Sequence, residues 1–203
     1  MSDCKWRIID ELDRPYYLND EDYCVYAREH VDGGYEASKS NQMIFNYKKP
    51  ITYKNTTQWF YKLHSIGLFA SELNLLRFPK NSILIPAPTS KPRTSALFDS
   101  RIDDSLSKLI EYRSDLIIQK IIDVNNELLS VHSEGGSRRP EDLIPFLEVS
   151  DFTIQPLPNR VFFVDDLITS GGHFRACKTV FNKKYPDIQF IGVFWARHCI
   201  IEK

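Results

Sequence analysis

Four apolar residues, Val161, Phe162, Phe163 and Val164, run straight into two carboxylates, Asp165 and Asp166, and soon after into Thr169, Ser170, Gly171 and Gly172. A continuous β-branched and aromatic run is what a strand buried on both faces of a parallel sheet requires. Two adjacent carboxylates are costly to bury, so they belong at the carboxyl end of that strand, in the crevice where open α/β sheets bind ligands. The hydroxyls and glycines that follow supply side-chain donors, backbone N–H groups and freedom to take positive φ. Residues 174–181 have apolar spacing suited to a helix, and a turn of this kind at a helix N-terminus is an anion cradle. The plain alternative is that the acidic pair caps the helix and the glycines turn the chain.

The rest of the chain alternates helix and strand. Over 56–78, Trp59, Phe60, Leu63, Ile66, Phe69, Leu73 and Leu76 recur with helical period, which predicts a core helix with packing aromatics. Residues 82–88 read as a short buried strand ended by Pro86 and Pro88. Thr89, Ser90, Lys91 and Arg93 follow directly, four donors converging where a pyrophosphate could lie, or else a solvated proline turn. A helix is predicted over 94–112, with Leu97, Ile102, Leu106, Leu109 and Ile110 inward; Arg101 with Asp103 or Asp104 supports the preceding loop or pairs in water. Strands follow at 115–122 and 189–196. The long connection 123–151 carries His132, Gly135, Gly136, Arg138 and Arg139, with a short helix over 141–147. This order predicts an α/β fold, a parallel-centred sheet flanked by helices.

The N-terminal part is less regular. Trp6, Ile8, Ile9 and Leu12 have spacing that docks a short helix, 23–28 reads as a strand, and Ser40 and Asn41 cap a short helix that runs through Tyr47 until Pro50 breaks it. Residues 1–55 are therefore expected as a small α+β accessory element ahead of a core at 56–203. Lys39, Lys48, Lys49 and Lys54 interleave there with Phe45, Tyr47 and Tyr53. Such a mixture binds single-stranded nucleic acid by phosphate contact and stacking, or forms an ordinary solvated face over aromatic core residues. With 26 Lys+Arg against 27 Asp+Glu in 203 residues, the chain has no general attraction to nucleic acid. Its four cysteines are scattered and include no CxxC pair, so neither a disulfide framework nor zinc ligation is expected. The start lacks a signal peptide's apolar core and no apolar run approaches the ~20 residues of a membrane span, so a cytoplasmic protein with no membrane partner is expected.

The order of apolar strand, Asp165 and Asp166, two residues, then Thr169 to Gly172 resembles the phosphoribosyl pyrophosphate loop of the type I phosphoribosyltransferases. The likeness covers roughly 56–198 and is specific only over 161–173. It implies that Asp165 and Asp166 hold the ribose 2- and 3-hydroxyls while Leu167, Ile168, Thr169, Ser170, Gly171, Gly172 and His173 surround the 5-phosphate. His173 stands where that family usually has a hydroxyl residue, and an imidazole can still donate to phosphate. The segment with Ser90 and Lys91 resembles the family's pyrophosphate loop, in a form closest to the ComF-type subgroup. The resemblance further implies Mg²⁺ joining pyrophosphate and ribose oxygens, held by Asp165 and Asp166 indirectly or through the ribose. Lys91, Arg93 and Arg138 would stabilise the departing pyrophosphate, 123–151 would close over the centre, and 1–55 would form a hood. The implied activity is Mg²⁺-dependent phosphoribosyl transfer to a nitrogenous base or nucleotide-like acceptor. The other reading is a ligand-sensing or effector module on the same fold, acting with a protein or nucleic-acid partner in a setting such as DNA uptake or phage defence. A homo-oligomer is compatible with either. Replacing both Asp165 and Asp166 by Asn is expected to abolish transfer with the fold intact.

Overall fold

A computed structural model describes residues 4–125 and 139–199. In chain order its elements are β1 (Arg7–Ile8), β2 (Cys24–Val31), α1 (Lys39–Tyr47), α2 (Thr57–Leu73), β3 (Ile83–Pro86), α3 (Arg101–Tyr112), β4 (Ile117–Ile118), β5 (Ile122–Val124), α4 (Pro140–Leu143), β6 (Leu147–Val149), β7 (Arg160–Ile168), α5 (Gly172–Lys184) and β8 (Gln189–Cys199). The main sheet has the order β1-β2-β8-β7-β3-β4, and β5 pairs with β6 in a separate ribbon. The five strands from β2 to β4 in that order run parallel, and β1 closes one edge antiparallel. This is the mixed α/β architecture with a parallel-centred sheet and helices on both faces.

Strand β7 lies inside the sheet because its residues are apolar on both sides. On one face Phe163 packs with Phe174, Phe181 and Phe190, which fixes α5 against the sheet. On the other face Phe162 and Val164 join Tyr47, Phe69, Leu106 and Trp195 beneath α1, α2 and α3. Trp195, close to the carboxyl end of the last strand, is a core residue: it stacks on Phe69 at 4.9 Å, and its Nε1 donates to Glu72 at 2.7 Å. Residues 24–31 and 39–47, assigned by sequence to an accessory element, supply a strand to this sheet and a helix to its face, with β2 in register against β8 from Cys24↔Gly192 to Val31↔Cys199.

Several sequence expectations are corrected. Phe60 is 70% exposed and Leu63 is also exposed, because the buried stripe of α2 runs through Lys62, Ser65, Ile66, Phe69 and Leu73, and both residues lie off it. The helix expected from residue 94 begins at Arg101. Turns anchored on Pro92 and Ser95 precede it, and they leave Leu97 exposed. The single strand expected over 115–122 is split at Gln119, whose side chain pairs with Thr153 and leads the chain out of the main sheet into β5. Residues 4–20 form no helix; only β1 is regular, and Leu12 is exposed. The helix expected over 141–147 is one short turn, α4, continued by a 3₁₀ turn at Ile144–Phe146, after which Leu147 enters β6. His132, Gly135, Gly136 and Arg138 lie outside the described residues.

Candidate functional site

Strand β7 continues past the apolar run, so Asp165, Asp166, Leu167 and Ile168 are its last residues, at the carboxyl end of the parallel sheet. Thr169 and Ser170 then lead to Gly171, which has φ +81° and caps α5 in the left-handed region. A side chain at that position would be strained by the backbone and would approach Leu18 to 3.1 Å. The segment before β2 supports the turn from outside. Tyr17 N–H donates to the Ser170 carbonyl at 2.9 Å, and Asp22 binds Arg175 at 3.1 Å and Lys178 at 2.6 Å on α5. A cavity of about 550 Å³ opens here, within the usual range for small-molecule sites. Every residue from 165 to 173 lines it, together with Thr89, Ser90, Lys48 and Arg101.

Both carboxylates already have cationic partners. Asp166 is 2% exposed; its Oδ1 lies 3.0 Å from Lys48 Nζ, and its Oδ2 accepts from Arg101 Nε at 2.8 Å. Burial works to raise its pKa, but Lys48 and Arg101 outweigh burial and hold it down to about 2. Asp165 accepts from the Asp166 N–H at 2.7 Å through Oδ1 and faces His173 Nδ1 at 3.1 Å through Oδ2. Burial opposes a charge on His173, yet Cys177 and Asp165 prevail and raise its pKa well above the ordinary value. The imidazole thus turns Nδ1 toward Asp165 and acts on the acidic pair.

A second layer fixes the cations. Arg101 Nη1 donates to Asp99 at 2.7 Å, and its guanidinium lies 5.8 Å from the centre of the Tyr47 ring. Lys62, 1% exposed, donates to both Asp99 oxygens at 2.8 and 2.7 Å and to the Lys49 carbonyl at 2.6 Å. Burial lowers its pKa, and Asp99 works against that. The end of α1, the middle of α2 and the start of α3 therefore meet in one ionic frame behind the cavity.

Of the residues singled out in the sequence, the structure gathers 165–173 and Ser90 around one cavity. Lys91 and Arg93 are not among its lining residues. Arg93 is paired with Asp103, sits 3.4 Å from Asp123 and covers the Phe98 ring. Arg138 is outside the described residues. Among the described residues Lys48 and Arg101 are the lysine and arginine that line the cavity, a place the sequence pattern does not announce. In the sequence Lys48 reads as part of a basic-aromatic segment, and Arg101 as a partner of Asp103 or Asp104, in water or supporting the preceding loop. Among the described residues no group of three or more His, Cys, Asp or Glu side chains is placed to hold a metal ion, and no helix is long and apolar enough to cross a membrane.

No protein-family profile matches the chain, and no curated protein matches it. Among solved structures it is similar to a Helicobacter pylori xanthine-guanine-hypoxanthine phosphoribosyltransferase, at 11% identity over 70% of this chain and 88% of that one, with a TM-score of 0.36. At that distance the likeness carries nothing about function.

Proposed function

We propose that this protein binds phosphoribosyl pyrophosphate, or a closely related ribose phosphate, at the carboxyl end of β7 and transfers the phosphoribosyl group to an acceptor nitrogen with release of pyrophosphate. One observation carries the reading: a single cavity holds an adjacent acidic pair and, three residues beyond it, a hydroxyl-glycine turn opening α5. The first suits a vicinal diol and the second suits a phosphate, and a ribose phosphate presents both. In the reaction the bond from C1 to pyrophosphate breaks and both electrons leave on the pyrophosphate. The acceptor nitrogen forms the new C1–N bond and loses its proton. Positive charge on the ribose ring in the transition state is favoured by Asp165 and Asp166, while Ser90, Lys48 and Arg101 are the donors available to the leaving group.

The resemblance also implies Mg²⁺, and the donor set argues against its direct ligation here. Asp166 has a cation on each oxygen and Asp165 has His173, so neither carboxylate is an open ligand for a dication. No step is assigned to the metal. Pyrophosphate release from phosphoribosyl pyrophosphate, followed over a panel of nitrogenous bases, tests the reading. Wild type is expected to release pyrophosphate with at least one base. Ser170→Asp, which sets a carboxylate against the 5-phosphate, should lose at least about tenfold in rate. Release by Ser170→Asp at the wild-type rate would contradict the placement.

A further inference from the structure

We propose that Lys48 is a transferable counter-ion: it neutralises Asp166 in the free protein and turns onto the diphosphate of a bound ribose diphosphate, so that this ligand is held without a divalent cation. The inference rests on the sugar-phosphate reading of the cavity given above, and it concerns how the anion's charge is met.

The two cations on Asp166 are mounted differently. Arg101 is fixed: its side chain is 17% exposed, it binds Asp166 and Asp99 at once, and it lies over Tyr47. Lys48 is rooted at its backbone and less enclosed along its side chain. Its side chain is 39% exposed, with a flexible four-carbon stem ending in a point charge. Its backbone caps α1 through a 3.0 Å hydrogen bond to the Ile44 carbonyl, and the next carbonyl, that of Lys49, is gripped by buried Lys62. Lys62 in turn holds Asp99, which holds Arg101. The root of Lys48 and the fixed arginine thus belong to one frame, and only the lysine stem has to rotate to reach a ligand.

Charge balance permits the transfer. If Lys48 leaves Asp166, Arg101 remains at 2.8 Å, so no buried carboxylate is stranded without a partner, the event that makes broken buried pairs costly. Among the described lining residues Asp165 and Asp166 already face Lys48, Arg101 and His173, so a dication entering the cavity meets carboxylates that are already matched.

The test is calorimetric titration of inorganic pyrophosphate into the full chain, once with excess EDTA and once with Mg²⁺, for wild type, Lys48→Met and Lys48→Arg. Wild type is expected to bind in EDTA within a few-fold of its Mg²⁺ affinity. Lys48→Met should bind at least about tenfold more weakly in EDTA, with Lys48→Arg restoring most of the loss. Thermal melts of the variants report folding, because Lys48→Met removes one of the two cations on Asp166. Wild-type binding that requires Mg²⁺, or Lys48→Met binding like wild type in EDTA, overturns this proposal and leaves the sugar-phosphate reading standing. No binding of pyrophosphate with or without Mg²⁺ also overturns this proposal, and the sugar-phosphate reading then stands or falls on titration of phosphoribosyl pyrophosphate itself.

Discussion

At Asp166 the chain buries a carboxylate and surrounds it with two cations drawn from distant segments, Lys48 and Arg101. That arrangement makes the residue structural as well as functional. Asp166→Asn leaves Arg101 with Asp99 as its remaining carboxylate and Lys48 beside a neutral amide, so the variant should be less stable than wild type. Equilibrium denaturation at neutral pH should register that loss, which revises the expectation that an Asn pair leaves the fold intact. The sign with pH follows from the depressed pKa. Stability contributed by ionised Asp166 is fully present above the ordinary carboxylate value of 3.8 and is lost as pH falls toward about 2. The gap between wild type and Asp166→Asn should therefore narrow between those values; a gap that is constant with pH would contradict the assignment.

Strand β7, the turn and α5 were legible in the sequence because their signals are local: an apolar run, two carboxylates, and small residues before a helical period. The frame behind them was not. Lys62 sits among residues whose helical period announces a core helix, and nothing in that period distinguishes a buried lysine from an exposed one; its partner Asp99 belongs to a stretch read as helix. Phe60 and Leu63 show the same limit in reverse, since they share the period of α2 without sharing its buried face. The frame gives a prediction for α1, α2 and α3 together. Lys62→Met removes the link between Asp99 and the Lys49 carbonyl and should destabilise the protein by roughly 3 kcal/mol in denaturant unfolding. Because that link also roots Lys48, pyrophosphate affinity should fall even where the variant is folded. A variant as stable as wild type would show that the ionic frame does not hold these helices.

Over the whole molecule, helix-strand alternation announced the parallel sheet, but the place of the N-terminal segment was hidden. Parallel pairing of β2 with β8 joins residues near opposite ends of the chain, and no local pattern reports such a partner. The consequence reaches the cavity, because that same segment carries Tyr17 and Asp22 to the turn and α5, and Lys48 to Asp166. Whether this assembly is a ribose-phosphate site is decided most directly by calorimetric titration of phosphoribosyl pyrophosphate into wild type and Ser170→Asp, with thermal melts confirming that both are folded. Saturable binding to wild type, weakened at least about tenfold in the variant, is the predicted result. No binding to wild type, or equal binding to both proteins, would contradict it.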